Sequence, residues 1–356
     1  MNMESSHNGM AELPYAYGAP TIRGLLRFKP EDFSVVEELG FAPDGEGHHA
    51  LLFIEKRQAN TPWVAQQLAK FAGVAPKEVG YAGLKDRHAV TRQWFSVHLA
   101  GKSGPDWSAF SSDHWRVITA TRHGRKLKPG YLSGNRFAIT VRELQGELST
   151  LVPRLHRIAQ SGVPNYFGEQ RFGHNNIQQA TAWLTGATRV RDRTQQGRLL
   201  SVARSLLFNQ ILAMRVAQQS WQQLLTGDVV MLAGSHSVFV VDEVDEPLQQ
   251  RLIAHDIHPT GALWGVGEPM SRGCARALEL AAVAPLVLLQ QGLERAEVKQ
   301  QRRSLVALPQ ELSWDYQKET HTLKVSFYLA AGCYATSLLR ELICYRNVHA
   351  FDVEET

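Results

Sequence analysis

Residues 80–93 read GYAGLKDRHAVTRQ, and the chain runs on through WFSVHL to Leu99. The segment RQWFSVHL alternates in the manner of a half-buried strand. Asp86 therefore falls in a loop that feeds a strand, just past Gly83 and between Lys85 and Arg87. A carboxylate so placed is either a solvated loop charge or a group held ionised for chemistry. Adjacent side chains on an extended path point apart, so the two flanking cations do not decide between these readings.

Outward from this loop, TIRGLLRFKPEDFSVVEEL (21–39) reads as a strand, a proline turn and a second strand, with Phe33 and Val35 on one face. NTPWVAQQLAKFAGV (60–74) reads as a helix capped by Asn60 or Thr61 and opened by Pro62. A turn, PGYLSGN, precedes the strand RFAITVREL, which carries Phe137, Ile139 and Val141 on one side. From about 161 the texture changes. SGVPNYFGEQRFGHNN is rich in Gly, Pro and Asn, as at a domain boundary. Residues 199–219 then have helical periodicity, 227–243 read as a hairpin, HTLKVSFYL (321–329) as a strand, and 330–343 as a helix after a glycine.

The chain has 356 residues, enough for about two domains. Its net charge of +4 permits a nucleic-acid partner without demanding one. The three cysteines, Cys274, Cys333 and Cys344, form neither a CxxC nor an even set, which points to buried free thiols in a reducing cytosol. The start, MNMESSHNGMAELPYAYGAP, lacks the regions of a secretory signal and reads as a disordered polar arm. The most apolar run, LELAAVAPLVLL (278–289), is shorter than the about 20 residues of a membrane span. GKS (101–103) lacks the upstream glycine of a phosphate loop, and GVG (265–267) continues as Glu-Pro-Met rather than completing a dinucleotide fingerprint. Neighbouring His48 and His49 cannot face one ion from a regular element, so no metal site is expected. The run RHGRKLK (122–128) is either a solvated charge run or a phosphate contact. Any chemistry must then come from side chains alone.

GYAGLKDRHAVTRQ resembles the G-x-K-D-x-x-A-x-T-x-Q signature of the TruD family of tRNA pseudouridine synthases. Five further stretches resemble that family's blocks in the same order: KPEDFSVVEELGFAPDGEGHH (29–49), GNRFAITVRE (134–143), GVPNYFGEQRFG (162–173), ARSLLFNQILAMR (203–215) and GCYATSLLREL (332–342). The resemblance implies an α+β fold. A pseudouridine synthase catalytic domain with a largely antiparallel mixed sheet would come from residues 1–160 and 309–356, interrupted by an inserted α/β TRUD domain at 161–308. It also implies isomerisation of uridine to pseudouridine in tRNA, at position 13, without a cofactor and with Asp86 as the catalytic residue. The uridine-contacting positions fall on Phe33, Asn135, Phe137 and Tyr334, the last where the family pattern has phenylalanine. Arg27 stands where the pattern has lysine. Arg27 and Lys85 are the candidate supporting charges. Arg125, Lys126 and Lys128, with Arg189, Arg191, Arg193, Arg302 and Arg303, are candidates for phosphate contact. The implied partner is tRNA, met by a monomer in the cytoplasm with no membrane association.

The chemistry suits these residue types. Breaking a glycosidic bond develops positive character at the anomeric carbon. A carboxylate that stabilises or traps that carbon, or takes a ribose proton, must be ionised and close. Burial disfavours the charge and a neighbouring cation opposes that effect. Arg27 lies in a separate block and can approach Asp86 from across the site, with a planar fork suited to a carboxylate. A base-modifying enzyme also extrudes its target between aromatic or apolar groups. Two other readings compete: a non-catalytic tRNA-binding or folding module on the same scaffold, and a carboxylate glycosidase.

Overall fold

The structure, a computed structural model, describes residues 13–173 and 175–348. Its described residues divide into two compact units, one of residues 20–159, 309–332 and 342–348, the other of 13–19, 160–173, 175–308 and 333–341.

The first unit is built on an eleven-stranded sheet. Its strands in chain order begin with β1 (Arg23–Leu26), β2 (Phe33–Leu39), β3 (His49–Arg57), β4 (Val79–Tyr81), β5 (Val90–His98), β6 (Ser111–Ser112), β7 (Trp115–His123) and β8 (Leu132–Gln145). Gln310–Gln317, Thr322–Ala330 and Cys344–Asn347 complete it. Along the main path the order is Gln310–Gln317, Thr322–Ala330, β8, β2, β5, β3, β7, β6. All pairings are antiparallel except β2 with β5 and β1 with Cys344–Asn347. This is the largely antiparallel mixed sheet of the α+β expectation. The pleat sends Phe137, Ile139 and Val141 of β8 to a buried face. At Gly134 the chain passes so near Leu329 that a Cβ would lie 2.3 Å from its carbonyl oxygen, which explains a glycine there.

One detail of the topology sets the loop at Asp86. β4 pairs with β5 over Phe95–Val97, and β2 pairs along β5 over Val90–Arg92. In the gap between them the Trp94 N–H donates to the Glu37 carboxylate, at 2.8 Å. The loop from Ala82 to Ala89 runs from the end of β4 to the start of β5. Helix α1 (Thr61–Phe71) buries Val64 and Leu68 in this unit's core, whereas Phe71 is partly exposed.

The second unit packs its core around the helix Arg193–Ala217, whose Leu199, Val202, Leu207, Phe208, Ile211 and Leu212 are buried. A four-stranded antiparallel sheet orders Val238–Val240, Val229–Leu232, Ile257–Leu263 and Gln301–Ser304, so the expected 227–243 hairpin forms. Residues 13–19 and 333–341 group with this unit, whereas the sequence reading keeps them with the first domain. Cys274 and Cys344 are exposed rather than buried as expected. Residues 1–12 of the expected polar arm lie outside the described residues. Residues 13–17 are pinned rather than loose: Leu13 is buried, Arg340 lies over the Tyr15 ring, and Tyr17 donates to the Gly162 carbonyl.

Among the described residues, two helical stretches, Arg193–Ala217 and Gly273–Arg295, are long and apolar enough to cross a membrane by length and composition, more than the run 278–289 suggests. The first is the core helix just described. The second breaks at the 3-10 turn Ala284–Leu286 and carries the buried Glu279.

Candidate active site around Asp86

The loop is stapled from three sides. Asp86 Oδ1 accepts the His88 N–H at 2.9 Å, a local turn of the kind aspartate favours. Thr61, at the start of α1, accepts the Lys85 N–H at 3.0 Å and donates to Gln93 Oε1 at 2.8 Å. Gln93 in turn donates to the Gly83 carbonyl at 3.2 Å. Thr61 therefore spends its hydroxyl on the loop and does not cap its helix; Asn60 holds the cap position without a side-chain bond. From beneath, the buried Lys56 ammonium donates to the carbonyls of Ala59 at 2.7 Å, Asp86 at 3.1 Å and Lys85 at 3.4 Å.

The carboxylate itself faces Arg27. Arg27 Nη2 lies 2.8 Å from Asp86 Oδ2, with side chains 7% and 21% exposed. The approach is not aligned as a hydrogen bond, and Arg27 Nε and Nη2 have no such partner in the structure. The contact is thus an ion pair that leaves donors free. Nη1 donates to Asn347 Oδ1 at 2.8 Å, and the guanidinium lies 4.2 Å over the Phe33 ring. Arg27 has φ of 57°, the left-handed region that costs a non-glycine residue about 1–3 kcal/mol. Residues held in such a conformation cluster at functional sites.

Lys85 turns elsewhere. Its ammonium sits 2.6 Å from Glu37 Oε1, both side chains buried. Of the two candidate supporting charges, only Arg27 pairs with Asp86. Across β2 and β8, Glu37 stands opposite Asn135 and Val35 opposite Phe137. Asn135 Oδ1 is buried without a hydrogen-bond partner in the structure. A buried amide oxygen left so is an acceptor waiting for a donor. Phe137 is buried, edge-on to Phe33 and stacked on Phe327. Tyr334 belongs to the other unit, where its hydroxyl accepts from Arg171 Nε at 3.1 Å and Nη2 at 2.8 Å, beside Phe167.

Among the candidate phosphate contacts, Arg125, Lys128, Arg189, Arg191 and Arg193 are exposed. Lys126 donates to the Lys77 carbonyl. Arg302 and Arg303 are corrections. Arg302 is buried and grips Glu279 with two bonds, at 2.7 and 3.1 Å. Arg303 donates to Asn165 and lies 4.0 Å over Phe167. Neither guanidinium is a surface charge.

Sequence reading missed Glu37, Lys56, Thr61, Gln93, Asn347 and Arg171. A signal existed for two of them. Glu37 and Lys56 are charged residues on the buried faces of β2 and β3, in step with Phe33 and Val35, and with Leu52 and Ile54. A charge in an apolar register is almost never fully buried without a partner.

The family model for tRNA pseudouridine synthase D (TruD) matches residues 10–196 and 177–342. The chain is 46% identical to the tRNA pseudouridine synthase D of Nitrosococcus oceani, covering 96% of both proteins. It is 48% identical to that of Methylococcus capsulatus, over 94% of this chain and 95% of the relative. Its fold is similar to the crystal structure of the putative TruD of Methanosarcina mazei, with a TM-score of 0.68 at 22% identity, covering 93% of this chain and 95% of that one.

Proposed function

This chain belongs to the tRNA pseudouridine synthase D family, and from that premise we propose that it isomerises uridine to pseudouridine in tRNA, at position 13, with Asp86 as the catalytic carboxylate. The observation that carries the reading is the 2.8 Å ion pair between Asp86 and a buried arginine from a distant block of sequence. A solvated loop charge needs no buried guanidinium in a strained backbone. The first unit supplies the catalytic domain, and residues 161–308 are the inserted TRUD domain.

The chemistry follows from the pairing. Arg27 holds the Asp86 carboxylate in place, so that it meets the anomeric carbon as positive character develops there, or removes a ribose proton. The N-glycosidic bond breaks, the uracil turns, and C5 joins the same carbon. Atoms are conserved apart from the C5 proton, which leaves for solvent as the N1 position gains one. Asn135, with an acceptor unspent, meets the imide N–H or a ribose hydroxyl. Phe33 and Phe137 bound the space for the extruded base, and Tyr334 is the further uridine-contacting position that the family pattern implies. Arg125, Lys126 and Lys128 contact backbone phosphates. The enzyme works in the cytoplasm as a monomer and without a cofactor.

The test is release of tritium from tRNA carrying C5-tritiated uridine, incubated with pure protein. Release accompanied by loss of uridine at position 13 supports the proposal. Bound but unchanged tRNA refutes it.

A further inference from the structure

Lysine on the core face of a strand needs an explanation. Lys56 is 1% exposed, in register with Ile54 and Leu52 on β3. Its stem crosses the core and its ammonium reaches three carbonyls, of Ala59, Lys85 and Asp86. An ammonium has three donors and no acceptor. Three N–H groups therefore meet three oxygens. Two of those oxygens belong to the peptide groups on either side of the Asp86 Cα. Fixing both peptide planes fixes the two backbone torsions of Asp86, and with them the direction of its Cα–Cβ bond.

We propose that Lys56 is a positioning residue for catalysis, whose protonated ammonium aims Asp86 by clamping the two peptide groups that flank it. This rests on the reading that Asp86 is the catalytic carboxylate. The clamp depends on the proton. A neutral amine has two donors and a lone pair, so one carbonyl would lose its bond and face that lone pair. Loss of the proton falls in an accessible range, because burial lowers Lys56 from 10.5 to about 8. The charged groups acting on it are both in the loop: Asp86, which raises it, and Lys85, which lowers it. These are themselves paired with Arg27 and Glu37. The register neighbours of Lys56 on β5 and β7 are Thr91 and Trp115, and the other staples of the loop are Thr61 and Gln93. None of these four titrates near that pH.

The experiment compares single-turnover tritium release by the full chain across about pH 7 to 9.5. Wild type should slow above about pH 8. Lys56→Met should lose about 100-fold in kcat at neutral pH with KM little changed, the scale of a misplacement near 1 Å, and its profile should lack the wild-type limb. Lys56→Arg, a cation that keeps its proton, should recover part of the rate and run flat through that limb. A Lys56→Met rate within about threefold of wild type overturns the proposal. So does an alkaline limb shared unchanged by wild type and Lys56→Arg, and so does a wild-type rate flat to about pH 9.5, which needs no folded variant. Failure of the functional reading looks different: wild type itself would release no tritium.

Discussion

Replacing Arg27 by methionine removes the charge opposite Asp86 and keeps an unbranched apolar stem. Methionine occupies the left-handed backbone at 57° with no strain beyond that of arginine, and its sulfur still packs on Phe33. The perturbation is therefore electrostatic first. A close pair of opposite charges couples by about 1.5–3 kcal/mol at the lower end of the range for such pairs. The simple Coulomb figure for charges about 4 Å apart at intermediate dielectric is higher, about 4 kcal/mol. Asp86 is 21% exposed, so water screens part of the field and the lower range applies. If that interaction holds the carboxylate ready for the transition state, its loss slows turnover by about 10- to 150-fold, at 1.36 kcal/mol per decade. The bond to Asn347 also goes, at about 1 kcal/mol of stability. The assay is single-turnover tritium release at saturating enzyme, with tRNA affinity measured separately by filter binding. Affinity should move far less than rate. Arg27→Lys should fall between the two, since a point charge cannot span Asp86 and Asn347 together. A fully folded Arg27→Met enzyme within about threefold of wild type would refute the argument.

Asp86→Asn is nearly isosteric and should abolish turnover while tRNA binding stays near normal; residual turnover within about tenfold of wild type counts against the catalytic assignment. Neutralising Arg125, Lys126 and Lys128 should weaken binding and flatten the log–log salt dependence by about 0.7 per lost phosphate contact, and an unchanged slope returns the run to a solvated face. Arg302→Met strands Glu279 in the core and should lower stability by about 3–5 kcal/mol, read by denaturant unfolding, whereas a surface arginine would change little. Between about pH 8 and 10.5 Lys56 is neutral when folded and protonated when unfolded, so the unfolded chain binds the extra proton and stability from this group rises with pH. The gap in unfolding free energy between wild type and Lys56→Met should therefore shift in favour of wild type by about 3 kcal/mol across that window, and a constant gap would show that Lys56 does not titrate there.

Much of the first unit was legible because its strands announce themselves. Phe33 with Val35, and Phe137 with Ile139 and Val141, alternate with less buried residues as one-sided burial requires. Arg27 as the partner of Asp86 was legible through the family resemblance, which puts a cation at that position, while the flanking residues point away along an extended chain. Apart from that pair, what escaped were the contacts made by charges whose partners lie far along the chain. Lys85 looks like a partner for Asp86 until β2 brings Glu37 beside it. Arg302 and Arg303 look like a basic surface pair until Glu279 and Asn165 are seen to claim them. Sequence shows the sign of a charge but not the fold-dependent distance to its complement, and that distance decides burial or solvation.

The pairing of β1 with Cys344–Asn347 has a consequence in time. Arg23 registers with Cys344, and the Arg27 guanidinium is tied to Asn347, 320 positions later. At about 5–20 residues per second, a ribosome needs roughly 15–60 s to travel that distance. Throughout that interval β1 presents an open edge, of the kind that recruits wrong partners. Asp86 has left the synthesis machinery long before the segment that steadies its counter-ion exists. So distant a contact is also among the slowest to close from an unfolded chain. A nascent or refolding molecule thus passes through a stage in which the loop is present but its guanidinium is untethered, until the last strand zips onto β1.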